Sequence, residues 1–186
     1  MKRGEDIIAF QKERFEITSA SAIPRPWVYS KTFPPLSHPG YSYDLGQQYF
    51  KTADMENARF HFESAFQKMP DSVPIALSLA RVHHKKKEYY KIKQLLTPFL
   101  SMSPSNYDVL LLMAIAHQNL GELDKAISLY DNAVSIFGVN QNLLNSIGEC
   151  YFRLKELEKA LAVWERSLEI NPNQPEIKKK IDSSKK

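Results

Sequence analysis

The chain has a single cysteine, Cys150, in 186 residues. An internal disulfide is therefore excluded, and the redox compartment is left open. No apolar run is long enough for a signal peptide core or a membrane span, so membrane insertion is not expected. There is no Gly-rich phosphate loop, no HExxH and no paired-carboxylate motif, and an enzyme is not expected on these grounds. Charge of one sign is also missing. The formal net charge is +4, but Lys178, Lys179, Lys180, Lys185 and Lys186 form a terminal cluster without which the balance is near neutral. No basic face for nucleic acid is implied. Hydrophobic residues make up 43%, enough for most of the chain to enter a packed core.

What the sequence does have is a period. Stepping back by 34 from Pro172 meets Gly138, Pro104 and Pro70, residues that end helices. The same step from Gly148 meets Ala114, Ala80 and Gly46, and from Tyr151 it meets His117, His83 and Tyr49. From Ala160 the series is Ala126, Ile92 and Ala58; from Trp164 it is Tyr130, Leu96 and Phe62. Five positions keep one register through four units without an insertion. In each unit a small residue and a ring lie three apart on the first helix, helix A, hence on one face. Small residues there let the second helix, helix B, approach closely, and the large side chain of helix B fills the space. Neither helix buries its stripe alone, so the units must stack.

This pattern resembles the tetratricopeptide repeat family, whose unit is a 34-residue helix–turn–helix. Leu45, Gly46, Tyr49, Ala58, Phe62, Ala65 and Pro70 carry it in the first unit. Ile147, Gly148, Tyr151, Ala160, Trp164 and Pro172 carry it in the fourth, where Ser167 replaces the usual alanine. The third has Met113, Ala114, Ala126, Tyr130 and Ala133. The second is the poorest match, with bulky Ile92 and Phe99 at small-residue positions. The expected organisation is four repeats at 39–72, 73–106, 107–140 and 141–174, covering about three-quarters of the chain. The fold class is all-α. The resemblance implies a right-handed superhelix with helices A lining a concave surface.

Three local expectations accompany the register. Pro98 falls inside the second helix B, where it removes a donor and clashes with the preceding turn, so that helix should kink or reorganise its end. Residues 175–186 should form a short capping helix through Ile177 and Ile181, with its lysines solvated. Residues 1–38 differ in kind: Arg14 to Thr18 alternate like a strand, and prolines stiffen the stretch around Trp27, Tyr29 and Phe33 into an extended segment. That segment is expected either to dock on the array or to be the end of an upstream domain.

His83, His84 and His117 invite a metal site, yet His83 and His117 occupy the position of Tyr49 and Tyr151. They read more simply as polar-tipped rings between helices. Cys150 has no neighbour at a nucleophile's spacing, and no cofactor is expected. The resemblance places ligands along helix A, at positions held here by Tyr43, Gln47, Phe50, Lys51, Arg81, His84, Leu111, Leu112, Ile115, Asn119, Asn142, Asn145, Glu149 and Phe152. The centre of that surface is apolar, flanked by basic and amide-rich groups, a binding-site signature unless superhelical packing buries the leucines. The family's chaperone-tail subclass grips a carboxylate at positions held here by Tyr43, Gln47, Ser78, Asp108 and Leu112. Asp108 would repel an anion, so that role is disfavoured. The expected function is a scaffold binding a peptide segment of another protein in the groove. The alternative is a C-terminal structural module of a larger, exported bacterial protein, packed against its own upstream part. Location follows the same fork: cytoplasmic by default, exported if the chain is a fragment.

Overall fold

The computed structural model describes residues 39–101 and 105–184, which belong to one unit, His38–Lys186. The extended segment expected over 1–38, with its strand-like start and its aromatic strip, lies outside the described residues. Four helix pairs follow the 34-residue register. They are α1 (Pro39–Lys51) with α2 (Met55–Lys68), α3 (Val73–Lys85) with α4 (Tyr89–Leu96), α5 (Tyr107–Asn119) with α6 (Leu123–Phe137), and α7 (Gln141–Arg153) with α8 (Leu157–Ile170). A ninth helix, α9 (Pro175–Ser184), follows. Among the described residues there is no strand, and no helix is long and apolar enough to cross a membrane.

Each turn inside a pair is built on a residue with positive φ, and these residues are again 34 apart: Ala53 (φ 60°), Lys87 (59°), Gly121 (81°) and Lys155 (64°). The next residue's amide then reaches back to the helix A carbonyl at Tyr49, His83, His117 or Tyr151, at 2.8–2.9 Å. This αL geometry stops helix A and starts helix B within three residues. Between pairs, Asn106 and Asn140 cap α5 and α7, their side chains accepting from Val109 and Leu143 backbone amides at 3.2 and 3.0 Å. Gly138, at φ 91°, ends α6.

Packing follows the small–large rule. A Cβ added to Gly46 would lie 2.5 Å from the Phe62 ring, and one added to Gly148 would lie 2.4 Å from the Trp164 ring. The two glycines are there because the ring already occupies that space. Ala58, Ala80, Ala114, Ala126 and Ala160 are fully buried, as are Leu96, Tyr130 and Trp164. Each helix B also packs on the helix A that follows it, α2 on α3, α4 on α5 and α6 on α7. The result is one continuous stacked core, the all-α superhelix that the period implies.

The second repeat departs as Pro98 requires. Its α4 ends at Leu96, and the chain tightens into a 3₁₀ turn, Thr97–Phe99. The Lys93 carbonyl accepts from both the Thr97 amide and, at 2.6 Å, the Thr97 hydroxyl, which fastens the last turn of α4 just before the proline.

Candidate peptide-binding surface

Helices α1, α3 and α5 touch in succession, so their helix A side chains form one surface. At its first junction the Gln47 amide donates to the Tyr43 hydroxyl at 2.8 Å and to the Ser78 hydroxyl at 3.0 Å. Beside this polar link, Gln47, Phe50, Phe62, Ser78 and Arg81 line a small open pocket. Arg81 pairs with Asp108 of the next helix A at 2.7 Å, with both side chains 44% exposed. Lys51 is exposed at the end of α1. His84 packs edge-on to Tyr89, and its pKa is lowered by burial and then by Lys85.

The centre of the surface is less open than expected. Leu112, expected in the groove, is instead buried in the core with Leu77, Ile92 and Leu96. The tight approach of α4 to α5 takes that side chain out of reach of a ligand. Leu111 and Ile115 stay half-buried at the rim of the next core cluster. Asn119 is exposed, its amide donating back to the Ile115 carbonyl at 2.8 Å.

On α7, Asn142 is exposed, whereas Asn145 and Glu149 are already engaged. The Asn145 amide donates to the Gln174 Oε1 at 2.7 Å, and Glu149 pairs with Lys180. Phe152 leans on Trp164, ring centroids 5.6 Å apart, yet remains 45% exposed. The structure thus leaves Lys51, Asn142 and Phe152 exposed and Phe50 and His84 half-buried, and ties Gln47, Arg81, Asn145 and Glu149 into links between repeats.

Three residues in those links were not anticipated. Ser167 and Gln174 form a buried polar knot, the Gln174 amide donating to the Ser167 carbonyl and hydroxyl at 3.0 and 3.1 Å and to the Asn171 carbonyl at 2.9 Å. The signal was available: Gln174 stands in register with the caps Asn106 and Asn140. Lys180 corrects the reading of the tail lysines as merely solvated. It binds Glu149 and lies 5.5 Å from the Trp164 ring, fastening α9 to α7 and α8. Ile177 and Ile181 pack on Ala160 and Trp164 as a cap should.

The histidines have partners other than a metal. His83 and His117 are buried, each with Nδ1 at 2.7 Å from a carboxylate five residues on, Glu88 and Glu122. Burial pushes the Glu88 carboxyl up, but the bonds from His83 and Lys91 outweigh it and hold it below its ordinary value. Lys93, His117 and Lys125 pull Glu122 down to about 2. Among the described residues no three His, Cys, Asp or Glu side chains converge as a metal site would need. The Cys150 thiol is buried and pushed up to about 11, chiefly by that burial, which leaves it protonated and unreactive at neutral pH.

Sequence models described as tetratricopeptide repeat match residues 108–137 and 142–174. No curated protein matches the chain. Among solved structures, "Crystal structure of MamA protein" superposes with a TM-score of 0.73 at 17% identity, over 78% of this chain and 80% of that one. MamA 41-end from Desulfovibrio magneticus RS-1 gives 0.70 at 18% identity, over 75% and 78%. MamA of strain AMB-1 gives 0.66 at 23% identity, over 72% and 78%. At these identities the likeness shows a shared fold. Four helix pairs in one register, two of them matched by the repeat's own sequence models, show that the fold is an all-α superhelix of tetratricopeptide repeats.

Proposed function

We propose that this protein–protein interaction scaffold holds an extended segment of a partner protein along its helices A. The observation that carries this reading is the pocket between Gln47, Phe50, Ser78 and Arg81. The Phe50 ring walls it, and Gln47 and Arg81 edge it, held in place by their bonds to Ser78 and Asp108, a preformed seat for one partner side chain. Asn142 and Phe152 offer the same kinds of contact on α7. Repeats of this family are generally non-enzymatic, and the buried His–Glu pairs and protonated Cys150 supply no reacting group on the surface.

A displayed library of random peptides, selected on the immobilised full chain, tests the reading. A shared motif should emerge, and Phe50→Ala or Gln47→Ala should weaken the selected peptide about tenfold or more. If no motif emerges, or if the selected peptide ignores both substitutions, the groove is not a binding site. The scaffold is then a structural module of a larger protein.

A further inference from the structure

The last turn of each helix A carries a row that the pocket does not use: Lys51, Lys85, Asn119 and Arg153, one residue per repeat at the 34-residue spacing. All four are exposed. A cation at a helix C-terminus has a bland explanation, because it faces the negative end of the helix dipole. That explanation does not account for how the acids on the same edge are used. Glu56 binds Arg59 and Lys86, Glu88 takes His83 and Lys91, Glu122 takes Lys93, His117 and Lys125, and Glu156 takes Lys159. Among the described residues no carboxylate lies within ion-pair distance of Lys51, Lys85 or Arg153. Arg153 donates instead to the Gln118 carbonyl at 2.7 Å. The acids nearer the groove are also spent, Asp108 on Arg81 and Glu149 on Lys180, which leaves Asp44.

Directly before this cationic row, one position earlier in each helix, stand Phe50, His84, Gln118 and Phe152. Lys51 is one turn beyond Gln47, and Lys85 one turn beyond Arg81, so the row borders the pocket. We infer that the partner segment is acidic, its carboxylates over Lys51, Lys85 and Arg153 and its apolar side chains against Phe50 and Phe152. This deepens the groove reading and rests on it. Cations without a carboxylate of their own draw an anionic chain at long range and speed its encounter. Helices in contact lie about 8–10 Å apart, and an extended chain advances ~3.3 Å per residue. Neighbouring repeats are therefore about three ligand residues apart, and the fitting pattern places acids about three apart over Lys51 and Lys85 and a third about six farther on over Arg153, with apolar residues between.

The test uses the full chain and fluorescein-labelled peptides of repeating Glu-Phe-Ser, with Gln or Lys replacing Glu in two controls. Fluorescence anisotropy should show the Glu peptide binding tightest and weakening as salt is added. Lys51→Glu, Lys85→Glu and Arg153→Glu should each weaken it about three- to tenfold and leave the Gln peptide unchanged. Equal binding of all three peptides, still lowered by Phe50→Ala, overturns the acidic partner and leaves the groove standing. No binding by any of them overturns both. Displacement of the Glu peptide by a single-stranded oligonucleotide of equal charge also overturns the proposal, since the row would then be a surface for any polyanion.

Discussion

In repeat four a glycine, Gly148, faces the largest ring of the core, Trp164, and helix B runs unbroken for 14 residues. In repeat two the same register positions hold Ala80 and Leu96, and α4 stops after 8 residues. The side chains the family pattern would make small are Ile92 and Phe99, both buried. Repeat two thus spreads over several medium side chains the volume that repeat four puts into one indole. What is kept between them is filled space at the helix crossing, not residue identity. The cost of departing from the pattern falls on the end of α4, where Pro98 and a 3₁₀ turn replace the last helical turns.

The largest expected effect is at the ring. Trp164→Ala should cost about 3–5 kcal/mol, because the indole is fully buried and its removal leaves a large cavity between α7, α8 and α9. Urea denaturation followed by circular dichroism measures this; a cost under ~1 kcal/mol would mean that repeat four is not organised around Trp164. Gly148→Ala should cost about 1–3 kcal/mol, since its methyl would meet the ring at 2.4 Å. Adding Trp164→Leu converts the pair to repeat two's Ala–Leu. The double variant should then be more stable than the sum of the two single costs allows, and simple additivity would show that the positions are not partners.

Ala126→Leu asks whether repeat three can accept repeat two's bulk. Beside the fully buried Tyr130 it should overpack, at about 1–3 kcal/mol, although Ile92 is tolerated beside Leu96. An unchanged denaturation midpoint would refute the distinction.

Acid should separate the repeats in a different way. Glu122 has its pKa lowered from 4.5 to about 2 by Lys93, His117 and Lys125. The unfolded chain takes up that proton first as pH falls, so the stabilisation is complete above about 4.5 and is lost as pH drops through 2. Glu122→Gln should flatten the stability profile in that window. A profile as steep as that of the unchanged protein would assign the acid response to other carboxylates.

The smallest effect is in the turns. Lys155→Gly relieves a side chain held at φ 64° and should add about 0.5–1 kcal/mol, while Gly121→Ala in repeat three should remove a similar amount. A loss from the first substitution, read as a lower Tm, would show that the turn is not strained.

The register carried most of the fold in the sequence, because a small residue against a large one is a property of side-chain volume, and volume repeats every 34 residues. Pro98 announced its own disruption through the missing donor. The candidate site was less legible. Leu112 has the composition of an exposed apolar groove, and only the approach of α4 decides that it is core. Asn145 and Glu149 look free in sequence; their partners, Gln174 at the very end of the last repeat and Lys180 beyond it, are 29 and 31 residues away. The period marks Gln174 as a position, in register with Asn106 and Asn140, but it does not report where the cap lands, and the Lys180 contact depends on that.

That cap sets a boundary on growth by duplication. Helix α9 lies in the helix A register, Ile177 and Ile181 standing for Leu143 and Ile147, and Asp182 stands for Gly148. Every earlier unit offers glycine or alanine at that point to the incoming side chain of its own helix B. A repeat copied in tandem after α9 would have to press its ring onto a carboxylate, at the cost of burying an unpaired charge. The array can be lengthened by inserting units ahead of α9. Extending it past α9 requires that Asp182 be replaced first.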